Sequence, residues 1–351
     1  MVLVKKIRVQ YVRAHKDYTF DVSPTVTVIT GANGSGKTSL IEALHVALTG
    51  SSFKGTDRDI LRSDAPWYRV DVLFDDDTKR TVKYNPDSTS GRKQFIINEK
   101  TNYRLPQQHR YPVVLFEPDD LRLLNGSPTR RRQFIDRFIS QIDPQYSKAV
   151  SRYERALKQR NSLLKRSMVT NDDLFAWNIS LSEYGAYIIT QRLHFVEELN
   201  KQLGTIYRII SQTKDEVKVR YSSTLGTNIQ QKLLSDLHSF TERDKLLGFT
   251  STGPHRHDVL FDFNNSSALS IASRGEVRSI ILALKFLEVH ITEDITGKKP
   301  IVLLDDVFSE LDGTRQRNLV TEFTNHQIIV TSVGVIPIES STVINLKSLA
   351  T

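Results

Sequence analysis

Apolar residues recur along this chain in more than one rhythm. Val2 to Val12 and Tyr18 to Val22 alternate loosely with polar residues and predict strands. Val26-Thr27-Val28-Ile29-Thr30 is a short apolar run that predicts a buried strand, and Leu40, Ile41, Leu44 and Leu48 then fall at helical spacing. A polar loop is expected from Gly50 to Ala65. Strand-like runs follow at Trp67–Phe74, Thr81–Tyr84 and Gln94–Ile97, with Asp75-Asp76-Asp77 making a hairpin turn between the first two. Val113–Phe116 predicts a short buried strand that Pro118 stops.

The period then lengthens. Ile135, Ile139, Ile142, Tyr146, Val150, Tyr153, Leu157 and Leu164 form one face of a long helix with a break near Pro144. After a polar stretch from Ser167 to Asp173, a second helical pattern runs through Tyr184, Ile188, Phe195, Leu199, Leu203, Ile206 and Ile210. Two long helices joined by a polar turn predict an antiparallel hairpin whose arms each reach roughly 35–45 Å. The pattern suits a projecting arm and a helical subdomain packed on a core equally well. Lys214–Tyr221 predicts a strand and Ile229–Phe240 a helix. Ser273 opens a strong helix with Ile280, Ile281, Leu284, Leu287 and Ile291 on its apolar side. Strands at Ile301–Leu304, Ile328–Val330 and Val343–Leu346 and a helix at Leu311–Phe323 complete the expectation.

The chemistry is concentrated in a few runs. Gly31-Ala32-Asn33-Gly34-Ser35-Gly36-Lys37-Thr38, followed by Ser39, fits the phosphate-loop pattern G-x-x-x-x-G-K-[ST] between a strand and a helix. Glycines let backbone N–H groups close around phosphate while the helix directs its positive end at the same anion. Lys37 is expected at the β- and γ-phosphates of ATP, and the Thr38 hydroxyl on Mg2+. Ile301-Val302-Leu303-Leu304-Asp305-Asp306 is an apolar strand ending in two carboxylates. Asp305 is assigned to the metal, directly or through water, and Asp306 to the attacking water as its orienting group or base. Lys37 and Asp305 lie 268 residues apart, so one site is split by a large insertion. The layout predicts an α/β ATPase core in two lobes, 1–118 and 300–351, with a helical subdomain at 119–299.

Composition changes this picture little. At 351 residues, 39% hydrophobic and 25% charged, the chain has room for about two domains. No apolar run approaches the ~20 residues needed to cross a bilayer, which argues against a membrane protein. The first residues lack the form of a secretion signal. The lack of cysteine excludes disulfides, thiolate metal sites and thiol catalysis, and fits a cytoplasmic location.

Charge adds more. Eleven lysines and arginines against three acids fall between Asn125 and Thr170, an excess equal to the +8 of the whole chain. Such a segment is an electrostatic footprint for a polyanion. Lys148, Arg152, Arg155 and Arg166 on the helical arm are the leading candidates for contacts to such a polyanion. Arg130 and Arg131, with Arg132, are assigned either to that footprint or to a subunit interface.

Two further motifs narrow the class. Ser273-Arg274-Gly275-Glu276 opens a helix with a hydroxyl, a bare backbone N–H and a positive dipole end, although Ser-x-x-Glu is also an ordinary helix cap. Ser309-Glu310-Leu311-Asp312 directly follows the carboxylate pair. Phosphate loop, Ser-x-Gly-Glu, acid-tipped strand and Leu-Asp occur in the order of the ABC-type ATPases. The chain resembles the RecF family, recombination mediators of the SMC-like branch of that class, nearly end to end. The most specific stretches are Phe116-Glu117-Pro118-Asp119-Asp120-Leu121, Gly126-Ser127-Pro128 with Arg130-Arg131-Arg132, and Thr252-Gly253-Pro254-His255-Arg256.

The resemblance implies a P-loop ABC/SMC-type head, ATP-dependent homodimerisation, and nucleotide capping in trans by Ser273, Gly275 and Glu276 of the opposite subunit. It also implies binding to double-stranded DNA near single-strand gaps, slow ATP hydrolysis, and work with RecO and RecR to load RecA. Arg274 stands where the family usually has Gln, and His257 where it usually has Asp. Thr331 and Ser332 stand where ABC transporters carry a switch His, and Asp306 replaces their catalytic Glu, which predicts weak hydrolysis. A transporter nucleotide-binding subunit is the second reading. The missing switch His, the helical insertion and the basic segment count against it. A small-molecule kinase is the third, and the long insertion and the signature loop count against it.

Overall fold

In the computed structural model the residues described are 2–346 except 90, 167, 224–225, 227, 324 and 335–340. They divide into two compact units, Met1–Asp120 with Glu288–Thr351 and Leu121–Leu287. The change of unit expected at 299 thus falls at 287, inside a helix.

The first unit opens with β1 (Val4–Val12), β2 (His15–Asp21) and β3 (Val26–Thr30), then α1 (Lys37–Thr49) and a short α2 (Asp57–Ile60) within the expected loop. β4 (Tyr68–Phe74), β5 (Lys79–Tyr84), β6 (Lys93–Ile97), β7 (Lys100–Asn102) and β8 (Val113–Phe116) follow. Strands β1, β2 and β4–β7 form an antiparallel sheet in the order β2-β1-β4-β5-β6-β7. Its strands alternate, as in β4, where Tyr68, Val70, Val72 and Phe74 are buried and the residues between them are not. That is the pattern of a sheet with one face on the core. The buried side packs with Leu40, Ile41, Leu44 and Leu48 of α1 in one apolar cluster.

The second unit contains α3 (Pro128–Ile142), α4 (Pro144–Leu164) and α5 (Asn171–Ser211), then β9 (Val217–Ser222), α6 (Ile229–Ser239), α7 (Thr241–Leu247), β10 (Asp258–Phe263), β11 (Ser266–Ser267) and α8 (Ala268–Ile271). α9 (Arg274–Thr296) begins there and ends in the first unit. Pro144 occupies the first turn of α4, where its missing N–H costs nothing, so the expected break is a junction between two helices. α4 and α5 pack together as the expected hairpin, but unequally. The 41 residues of α5 span about 60 Å and the 21 of α4 about half of that. α5 starts thirteen residues before Tyr184 because Thr170 and Asp173 form a capping box. Within this unit α5 also packs on β9 and α6, so the hairpin is not a bare rod. The antiparallel pairing of β9 with β10 was not legible in the sequence.

The chain then returns to the first unit with β12 (Ile301–Leu304), α10 (Gly313–Glu322), β13 (Ile328–Ser332) and β14 (Thr342–Asn345). These complete a parallel sheet in the order β14-β3-β13-β12-β8. β3, β8 and β12 are buried at every position, as expected for strands covered on both faces.

Candidate functional site

The phosphate loop leaves the carboxyl end of β3, and the two acids leave the carboxyl end of β12. β13 lies between those strands. Val330 pairs with both Val28 and Leu304, which brings the next residues of all three strands to one edge. Open parallel sheets bind ligands at this edge.

The loop is built by glycine. Gly34 and Gly36 have φ of +81° and +88°, and Gly36 caps the start of α1. A Cβ on Gly36 would lie 2.4 Å from Nε2 of His15, the buried ring of which bonds the Gly36 carbonyl at 3.0 Å. Burial pushes the His15 pKa below its usual value, which favours the neutral ring that this packing requires. The Lys37 ammonium donates to the carbonyls of Gly31 and Ala32 at 2.8 and 3.0 Å. An ammonium has three N–H groups, so one is left for a phosphate. Ser35 Oγ is buried with no hydrogen-bond partner among the described residues. Ala32, Asn33 and Gly34 are exposed, and Ser39 is buried in the first turn of α1.

The expected metal residues meet. The Thr38 hydroxyl donates to Asp305 Oδ1 at 2.8 Å. The buried Thr331 hydroxyl donates to the same oxygen at 3.0 Å and accepts from the Asp306 N–H at 2.8 Å. Asp305 is 1% exposed, and its Oδ2 takes an ion pair from Lys54 at 3.2 Å. A Thr hydroxyl that gives its proton to a carboxylate turns a lone pair outward, which is what a hard cation takes. Asp306 has φ of +56°, a conformation that costs an L-residue about 1–2 kcal/mol. Its Oδ1 is buried and has no partner among the described residues. An orphaned carboxylate oxygen beside the Thr38–Asp305 pair fits a water-holding role, and the donor set as a whole fits Mg2+ with a nucleotide.

Ser273, Gly275 and Glu276 belong to the second unit. The Ser273 N–H donates to Glu276 Oε2 at 2.6 Å, and Ser273 Oγ accepts from the Glu276 N–H at 3.3 Å. This is a capping box, so Ser-x-x-Glu serves locally as an ordinary helix cap. Ser273 and Arg274 are nevertheless exposed.

The basic segment divides. Lys148, Arg152, Arg155 and Arg166 are all exposed. The first three lie at spacings of four and three on α4, and Arg166 lies just beyond its C-terminus. A second stripe of the same helix, Tyr146, Ala149, Tyr153, Ala156, Arg160 and Leu164, is buried. Arg152 lies over the Tyr184 ring. Arg131, expected at DNA or an interface, is corrected: it is 8% exposed, forms a two-pronged ion pair with Asp258, and donates to the carbonyls of Leu124 and Gly126. Its guanidinium is spent inside the unit. Arg160 is likewise fully buried on Asp244, Asn178 and Thr250. Both acids lie outside the 125–170 window, so a count along the sequence could not see them. Arg130 is part-exposed.

Three site residues escaped the sequence reading. Lys54 carried no signal within a polar loop, and neither did His15. Thr331 stands out in the sequence only as the replacement of a switch His, yet a hydroxyl after the apolar run Ile328–Val330 marks a polar duty.

A model of the AAA domain family matches residues 6–247. A DNA replication and repair protein RecF of Clostridium perfringens is 32% identical over 338 residues, covering 95% of this chain and 93% of the relative. A solved structure of the recombination mediator protein RecF with ATP, in the RecFOR pathway, has a TM-score of 0.85 at 28% identity and covers 96% of this chain and 94% of that one. The head of Smc, solved with the C-winged helix domain of ScpA, has a TM-score of 0.52 at 16% identity over 95% and 90% of the two chains, a likeness of fold alone. The fold is therefore that of RecF and SMC ATPase heads, and the chain belongs to the RecF family of DNA replication and repair proteins.

Proposed function

We propose that this chain is an ATP-dependent DNA clamp of recombinational repair, acting in the cytoplasm. The observation that carries the reading is the hydroxyl–carboxylate cluster of Thr38, Thr331 and Asp305, which joins the phosphate loop to the acid-tipped strand. Residues Gly31 to Thr38 cradle the phosphates of ATP, with Ser35 Oγ and the third Lys37 proton as unused polar groups. Thr38 and Asp305 hold Mg2+, which when bound neutralises phosphate charge. Asp306 orients water through its orphaned oxygen and is the base of a slow hydrolysis.

Ser273, Gly275 and Glu276 act on the nucleotide of a second copy, so that ATP makes a homodimer. The exposure of Ser273 supports this reading. Duplex DNA, with preference for gapped DNA, lies along Lys148, Arg152, Arg155 and Arg166. These residues meet phosphates without reading bases. Arg130 remains a candidate at this surface or at a subunit interface. RecR and RecO are the protein partners, and RecA loading is the outcome.

The test is molar mass in solution with and without ATP and Mg2+, repeated with gapped duplex. A shift from monomer to dimer with ATP, strengthened by DNA and lost in Ser273→Arg, is expected. A mass unchanged under every condition would overturn the clamp.

A further inference from the structure

Lys54 and Asp305 are separated by 251 residues, yet the Lys54 ammonium lies 3.2 Å from Asp305 Oδ2. The other oxygen of that carboxylate is already occupied. Oδ1 accepts from both the Thr38 and the Thr331 hydroxyls, which uses its two lone pairs. Any further donor to Asp305 must therefore come to Oδ2, where Lys54 sits.

The loop that carries Lys54 is fastened through its backbone, whereas the side chain is held, among the described residues, only by the Asp305 ion pair and by the Phe53 ring, its centre 5.7 Å from the ammonium. Ser52 Oγ accepts from the backbone N–H groups of Lys54 and Gly55 at 3.0 and 3.1 Å and donates to Glu42 Oε1 on α1 at 2.5 Å. Beyond that anchor the Lys54 side chain is 38% exposed, whereas that of Asp305 is 2% exposed. A buried carboxylate with an anchored but solvent-reaching ammonium is an ion pair able to open from one side only.

We propose that Lys54 is the displaceable counter-ion of the metal site. It compensates the buried charge of Asp305 when no metal is present and yields Oδ2 to hydrated Mg2+ when the nucleotide enters. A magnesium ion keeps several of its waters, and those waters are donors that need a carboxylate oxygen. An ammonium and a dication at one carboxylate repel each other in a site shielded from bulk water, so the two do not share it. Loading therefore exchanges one cation for another, and Lys54 is released to solvent. This inference rests on the nucleotide reading of the site and adds a residue that sets how much metal is needed to fill it.

The test uses the full chain with ADP and Mg2+. The magnesium concentration giving half-maximal ADP retention is measured for wild type, Lys54→Met and Lys54→Arg. In parallel, the reactivity of Lys54 toward an amine-acylating reagent is read by mass spectrometry in the wild type. Without Lys54 the metal no longer competes, so Lys54→Met needs roughly three- to tenfold less magnesium, in keeping with a partly exposed ion pair, while Lys54→Arg stays near wild type. Lys54 labelling rises with Mg2+ and ADP together and stays low with ADP and a chelator. An unchanged or increased magnesium requirement in Lys54→Met, or labelling that ignores the metal, overturns the inference. The labelling arm needs no variant, so it decides the matter even if Lys54→Met does not fold. A wild-type chain that retains no ADP at any magnesium concentration is a different result, and removes the nucleotide site itself.

Discussion

The Thr331 hydroxyl gives its proton to Asp305 Oδ1 at 3.0 Å while taking one from the N–H of Asp306 at 2.8 Å. A single side chain on the central strand therefore fixes both the Asp305 carboxylate proposed for the metal and the backbone of the residue proposed to hold water. Thr331→Val keeps the shape and removes the hydroxyl, leaving a part-buried N–H unpaired at a cost of about 1 kcal/mol. Urea unfolding should register that loss, and ATP hydrolysis should fall about tenfold as Asp306 drifts. Thr331→Ser should recover both.

Asp306 supplies the orphaned carboxylate oxygen. Asp306→Asn preserves size and the left-handed backbone, which Asn tolerates well. ATP retention on a filter should be unchanged, and single-turnover hydrolysis should drop by about 10²-fold or more, the worth of a positioned base. Turnover that survives would assign the base to another residue.

Duplex binding through the α4 stripe should weaken steeply as salt rises, because each neutralised phosphate releases counter-ions. The double variant Arg152→Glu with Arg155→Glu should lower the slope of log affinity against log salt by about two. Arg131→Met should behave differently. It strands Asp258, so it should cost roughly 3–5 kcal/mol of stability, seen by denaturation, before any effect on DNA is read.

Two histidines give the second unit a pH dependence. His255 Nε2 faces the Thr250 carbonyl at 3.1 Å and its Nδ1 faces the Tyr153 hydroxyl at 2.7 Å, which suits a neutral ring with its proton on Nε2. Burial, reinforced by the charge of Arg256 and Arg132, lowers its pKa to about 4. Burial, with Arg192 and Arg132, lowers that of His257 to about 4 as well. The unfolded rings titrate near 6.5, so unfolding takes up protons between those values. The stability is fully present above about pH 6.5 and is lost as pH falls toward 4. Melting temperatures across that window should decline, and His255→Gln should make the decline shallower. A flat profile would mean that the rings are not held neutral.

Local patterning determined much of this protein by itself. The strand before Gly31, the helix after Gly36, the acid-tipped strand and the break at Pro144 are each written in a few adjacent residues. Their physics is short-range: apolar runs, φ permitted only to glycine, and a proline without an N–H. The nucleotide site was legible for the same reason, since a phosphate loop is built by its own backbone.

Folding decided what depends on partners distant in the chain. Arg131 and Arg160 count as surface charge in the sequence, but Asp258 and Asp244 draw them inside. Thr331 and Lys54 acquire their roles only because the strand order β3-β13-β12 and the loop after α1 bring them to Asp305. Sequence carries the residue types, whereas which charges are paired, and at which oxygen, follows from distances that only the packed chain sets.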